Sequence, residues 1–185
     1  MSLNLPRSIS GKDWCWRAGV NDERDTDFTP DDLLNRLLLA RGVARVDLAV
    51  QRRPTLRTLM PDPALFVDME KAAHRLADAV IAREKMVIFG DYDVDGATAT
   101  TLAVLALRAM GAQHADFMVP NRFEYGYGLT PELVDAALSR APDLLITVDN
   151  GTSQFAGVAR AKEMGLQVVI TDHHLAGDTL PNADA

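Results

Sequence analysis

The 185-residue chain has a single cysteine, Cys15, so no intrachain disulfide is open to it. That excludes a small disulfide scaffold, and one unpaired thiol fits a reducing cytosol. No apolar run approaches the roughly 18–20 residues that cross a bilayer, so no membrane partner is expected. The opening residues, MSLNLPRSISGKDW, hold no apolar stretch long enough for a secretory signal. There is no internal repeat and no low-complexity segment. Positive charge is scarce as well: the net charge is −7, with +2 on residues 1–60 and −9 on residues 61–185. Such a balance argues against holding nucleic acid by bulk charge alone. It leaves phosphate chemistry open, because carboxylates that bind cations invert the local field.

The chain does have the composition of one folded unit, with 48% apolar and 24% charged residues. Residues 1–28 are polar and irregular and read as an extended arm anchored by Trp14 and Trp16. Thr29 then caps a helix that opens with Pro30, Asp31 and Asp32 and closes at Gly42. Its apolar face is Leu33, Leu34, Leu37 and Leu38. Residues 43–63, with three prolines and the basic Arg52, Arg53 and Arg57, read as a surface linker. Arm, helix and linker therefore occupy 1–63.

From residue 64 to 185 helix and strand patterns alternate. Helices are expected over about 64–83, 97–110 and 154–164, with another opened by Thr130-Pro131-Glu132. Strands are expected at Met86–Phe89, Asp116–Val119, Leu144–Val148 and Gln167–Thr171. Short apolar runs between helices mean strands buried on both faces. The fold class is α/β, a doubly wound and mainly parallel sheet flanked by helices. Only 14 residues follow Thr171, without a closing helix, which reads as a domain truncated at its C-terminal end.

In such sheets the working crevice lies beyond the carboxyl ends of the strands. Three strands run there into chemistry-bearing residues: Asp91-Tyr92-Asp93-Val94-Asp95-Gly96, Asp149-Asn150-Gly151 and Asp172-His173-His174. Asp149 alone also fits the N-cap of the next helix, and Asp172-His173-His174 alone also fits a surface turn. Together they gather five aspartates and two histidines, which repel unless cations sit between them. The oxygen and nitrogen donors suit Mn²⁺, with Mg²⁺, Zn²⁺ or iron as alternatives, and the absence of thiolates argues against a closed zinc site. An EF-hand loop is excluded, because its twelfth position would be Leu102 rather than Glu. The segment Asp93–Thr98 also matches the first motif of dehalogenase-like phosphatases, with an aspartate nucleophile. That family needs a later lysine, and only Lys162 follows Lys85.

In the loop after the second strand, Arg122 suits a bidentate phosphate grip. Tyr125 and Tyr127 suit base stacking, or equally the pinning of a glycine-rich loop. Asn150, Gly151 and Thr152 are candidate anion donors at a helix start.

GDYDVDGATAT, TVDNGTS and TDHH, in that order on successive strands, resemble the first three motifs of the DHH phosphoesterase superfamily. The loop VPNRFEYGYGLT, and LLLARGV ahead of a linker containing Asp-Pro, resemble its RecJ branch of single-strand-specific 5′→3′ exonucleases. The likeness runs from about residue 30 to the end. It implies a two-metal site for Mn²⁺ or Mg²⁺. Asp91 and Asp93 would hold one cation, Asp95 and His173 the other, and Asp149 would bridge them. His174 would face the scissile phosphate, and Asp172 would orient the imidazoles from behind. It implies single-stranded DNA as substrate, in recombination and repair in the cytoplasm. Single-strand-binding protein and helicase partners are expected for a longer parent protein. Relatives on the same site cleave short RNA, cyclic dinucleotides or pyrophosphate, and these remain alternatives, as does a non-catalytic binding module. The superfamily's fourth motif and second domain are not in these residues, so this chain by itself is expected to be weakly active or inactive.

Overall fold

The computed structural model describes residues 29–185, so the arm with Trp14, Cys15 and Trp16 lies outside the described residues. The chain divides into two compact units, one ending at Asp62 and one spanning Pro63–Ala185.

In the first unit, helix α1 (Pro30–Ala40) begins as its punctuation predicts. Thr29 accepts from the Asp32 N–H, and the Asp32 carboxylate accepts in return from the Thr29 N–H at 3.0 Å, which closes a capping box. The expected surface linker has local structure of its own. It contains a 3₁₀ turn (Arg45–Asp47) and the short helices α2 (Leu48–Arg52) and α3 (Leu56–Leu59). Pro54 falls between α2 and α3 and Pro61 just after α3, and Thr55 caps α3 by accepting from the Thr58 N–H. Arg52 of the basic cluster is paired with Asp31.

The second unit runs α4 (Met69–Ala82), β1 (Met86–Phe89), α5 (Val94–Ala109), β2 (Ala115–Met118), α6 (Pro131–Ala137), β3 (Leu144–Val148), α7 (Phe155–Glu163) and β4 (Gln167–Thr171). The strands form one sheet in the order β2-β1-β3-β4, and every pair is parallel. Alternate residues of β1, β3 and β4 feed two cores, whereas β2, at the sheet edge, buries Ala115 and leaves Asp116 and Phe117 exposed, against the expectation of strands buried on both faces. Met86, Ile88, Leu144 and Ile146 pack with Leu107 and Val104 of α5 and Ala79 of α4 on one face. Val87, Phe89, Leu145 and Val168 pack with Leu133 and Val134 of α6 and Val158 of α7 on the other. Strands buried on both faces carry unbroken apolar runs for this reason.

Two helix starts differ from expectation. α4 begins at Met69, not 64, because Pro63–Leu65 forms a 3₁₀ turn and Asp68 takes a left-handed conformation at φ 57°. α5 begins at Val94, not 97, because Asp93 is its N-cap and accepts from the Gly96 N–H at 2.9 Å.

Candidate metal centre

The strand order places a topological switch between β1 and β3. The chain leaves β1 toward β2 on one side and returns to β3 on the other. The loops at that point diverge to opposite faces and open a crevice. Asp91 follows the end of β1, Asp149 follows β3, and Asp172 follows β4. Parallel pairing brings the three strand ends to the same edge.

Five side chains meet there in two groups that share one member. Asp91, Asp93 and Asp149 offer oxygens within 4.8 Å of one another. So do donor atoms of Asp149, His173 and His174. Asp149 is buried, with φ at 64°, in the left-handed region that aspartate tolerates better than most residues. Its N–H donates to the Thr171 carbonyl at 3.0 Å. Its Oδ1 accepts from the His173 ring through Nε2 at 2.8 Å, while its Oδ2 is buried without a hydrogen-bond partner. Burial pushes its carboxyl above the usual range; His173 opposes that, and the neighbouring Asp93 carboxylate reinforces it. An unpartnered buried oxygen beside like charge is costly in a metal-free protein and is what a cation would relieve. Three carboxylates and two imidazoles suit hard-to-borderline divalent cations such as Mn²⁺.

Asp172 does different work. Its side chain is almost fully buried and accepts five hydrogen bonds. Oδ2 receives the Thr152 N–H (3.0 Å) and hydroxyl (2.8 Å). Oδ1 receives the His173 N–H (2.8 Å), the His174 N–H (3.1 Å) and the His174 ring through Nδ1 (2.8 Å). Burial alone would raise its carboxyl, but the donors from Thr152 and His174 outweigh it and hold it at about 2. The bond to Asp172 in turn raises the His174 imidazole. Asp172 thus fixes the ring of His174 but not that of His173, which Asp149 holds instead.

Asp95 falls outside both groups. Because α5 starts at Val94, Asp95 lies in its first turn, where each residue rotates by about 100°, and its side chain is exposed. Asn150 spends its side-chain donors inside the protein, and Gly151 stands where no side chain fits. The buried Asn150 amide donates to the carbonyls of Phe89 (3.3 Å) and Val148 (3.0 Å) and ties β1 to β3. A Cβ on Gly151 would meet Thr147 Oγ1 at 2.5 Å. Thr152 spends its donors on Asp172, and α7 starts only at Phe155. Asp149 is not a helix cap. Tyr125 packs against the α6/α7 core, whereas Tyr127 meets the ring of Tyr92, and its phenol is raised by burial and by the charges of Asp91, Asp172 and Asp149. Arg122 is exposed, with its guanidinium 4.9 Å from the centre of the Tyr92 ring. Sequence reading passed over Tyr92 and the part Thr152 plays; the Asp-Tyr-Asp spacing drew attention to the carboxylates alone. Lys162, the lysine a dehalogenase-like site would need, binds Asp184 at 2.8 Å. Asp184 in turn accepts from the N–H of Val168, near the amino end of β4 and away from the strand-end cluster.

The family model described as "DHH family, N-terminal domain" matches residues 85–185. The chain is 44% identical over 169 residues to the single-stranded-DNA-specific exonuclease RecJ of Escherichia coli, covering 91% of this chain and 29% of that protein. A crystal structure of exonuclease RecJ bound to manganese superposes with a TM-score of 0.60 at 37% identity, covering 66% of this chain and 32% of that one. RecJ from Thermus thermophilus in complex with Mn²⁺ gives 0.56 at 30% identity, covering 84% and 23%. The chain therefore spans less than a third of the length of these relatives. With more than half of its residues matched, and with the three strand-end motifs converging on one crevice, the chain belongs to the DHH family.

Proposed function

We propose that this chain carries the metal-binding part of a RecJ-type exonuclease, which hydrolyses phosphodiester bonds of single-stranded DNA from the 5′ end with Mn²⁺ or Mg²⁺. The observation that carries this reading is Asp149, common to both donor groups and holding one buried oxygen without a partner. Asp91, Asp93 and Asp149 would hold one cation, and Asp149, His173 and His174 the other. A pair of such ions supplies an activated water and stabilises charge developing on the phosphate. The residues of the chain do the rest. Asp172 orients His174 toward the crevice, Asn150 holds the two strand ends together, and Arg122 and Tyr127 contact the strand at the rim.

The reading implies a single-strand-binding protein and a helicase as partner classes, and the cytoplasm as location. Among the described residues no helix is long and apolar enough to cross a membrane.

Two measurements test the proposal. Calorimetric titration of this 185-residue chain with Mn²⁺ should show two ions, and Asp149→Ala should abolish both. A chain of the relatives' full length that carries this sequence should release mononucleotides from the 5′ end of end-labelled single strands, and this chain alone far fewer. Release from the 3′ end, or none from DNA, would overturn the substrate assignment and point to short RNA, cyclic dinucleotides or pyrophosphate.

A further inference from the structure

We propose that Tyr92 is a positioning residue, whose ring presents the Arg122 guanidinium to a phosphate of the bound strand. The inference rests on the exonuclease reading above. Tyr92 stands between Asp91 and Asp93, and its backbone is held there. Its N–H donates to Asp91 Oδ1 at 2.7 Å, and the next residue caps α5. Its side chain points away from the core and is 38% exposed. The guanidinium of Arg122 lies 4.9 Å from the ring centre, within cation–π range. Tyr127 meets the same ring edge-on, at 6.5 Å and 80°.

Of the arginines of this unit, Arg75, Arg140 and Arg160 each pair with a carboxylate and Arg108 donates to a backbone carbonyl, whereas Arg122 makes no ion pair among the described residues. A guanidinium held over a ring by charge–quadrupole attraction spends none of its N–H donors on a protein acceptor, and its N–H fork matches phosphate oxygens two at a time. The contact therefore restrains a long, exposed side chain without using the donors it needs for substrate. It also ties the loop after β2 to the turn that carries Asp91 and Asp93, so the phosphate grip and the carboxylates share one reference point.

The test uses a chain of the relatives' full length with Tyr92→Leu, Tyr92→Phe, Arg122→Gln and the Leu/Gln double variant. Binding is read with a single-stranded oligonucleotide protected by phosphorothioate links, and turnover with the ordinary one. Tyr92→Leu should weaken binding and raise KM by about three- to tenfold, the range of one partly exposed cation–π contact, with kcat and Mn²⁺ affinity unchanged. Tyr92→Phe should behave as wild type, because the ring face is kept. The double variant should be no weaker than Arg122→Gln alone. The inference is overturned if Tyr92→Leu binds as wild type, if Tyr92→Phe is equally impaired, if the two losses multiply, or if Mn²⁺ affinity falls. A wild type that binds the strand without cutting it would remove the hydrolytic reading and leave the binding comparison to decide on Tyr92. A wild type that binds no strand would remove both.

Discussion

Asp149 sits in a conformation and an environment that favour a cation over the folded protein's own comfort. Its carboxyl is raised by burial, so its ionised form weakens the metal-free fold, and that cost disappears as the pH drops through its folded value. Asp149→Asn should therefore raise the melting temperature of the metal-free chain by a few degrees at neutral pH, roughly the scale of other relieved site strain. The same change should remove Mn²⁺ binding. Asp172 has the opposite sign. Its carboxyl is held at about 2, so the stability it contributes is complete above its ordinary value near 3.8 and is lost as the pH falls through 2. Asp172→Asn should destabilise the chain by about 1–2 kcal/mol, as loss of charge-assisted bonds does. It should also bring the raised His174 imidazole back down, an effect that a proton NMR titration of the ring would follow. If His174 titrates unchanged in that variant, Asp172 is not what holds it.

Helix α5 works at the element scale by starting early and close. Gly96 lies in its first turn, and a Cβ there would meet the backbone of Asp91 at 2.4–2.6 Å. Backbone cannot move aside as a side-chain tip can. Replacement of a helical glycine by alanine usually favours a helix, but here Gly96→Ala should cost about 1–3 kcal/mol, as overpacking does. It should also push Asp93 away from Asp91 and lower Mn²⁺ affinity by tenfold or more. Denaturant melts and metal titration of the one variant would read both effects. The early start also decides Asp95: a residue expected in a loop beside its neighbours is carried around the helix instead.

At the scale of the whole unit, β4 is not left as a bare edge. The Asp184 N–H donates to the Val168 carbonyl at 2.8 Å, and the Ile170 N–H donates to the Ala185 carbonyl at 2.9 Å. The Asp184 carboxylate binds Lys162 and also accepts from the Val168 N–H at 2.8 Å. These contacts cover the outer side of the strand that delivers Asp172, His173 and His174. Burial pushes the Asp184 carboxyl up, but Lys162 and Val168 outweigh this and keep it low, so its contribution is lost as the pH falls below the ordinary carboxylate range. Asp184→Ala should speed amide exchange of Val168 and Ile170 by about tenfold or more, in line with a local loss of roughly 1–2 kcal/mol. Mn²⁺ affinity should stay close to wild type, because the ligands lie at the other end of the strand.

Strand positions were legible from residues alone because each is a short apolar run between helix signals. Met86–Phe89, Leu144–Val148 and Gln167–Thr171 are found as expected, and the second strand is displaced by one residue to Ala115–Met118. The cluster of carboxylates and imidazoles was equally legible, since parallel strands must deliver their carboxyl ends to one edge. Local sequence did not decide which members meet. Asp93 could cap a helix only if α5 began at Val94, and that start depends on Gly96 packing against Asp91. The Asn150 amide and the Thr152 donors were expected to face a ligand. They turn inward because buried donors must find partners within the protein, and two of those partners, Phe89 on β1 and Asp172 just past β4, are remote in sequence. The sequence by itself determined the element types and the donor chemistry, through periodicity and residue identity. Tertiary structure alone decided the pairing of Asp149 with His173, of Thr152 with Asp172 and of Arg122 with Tyr92, because each pair joins residues that only chain crossovers bring within reach.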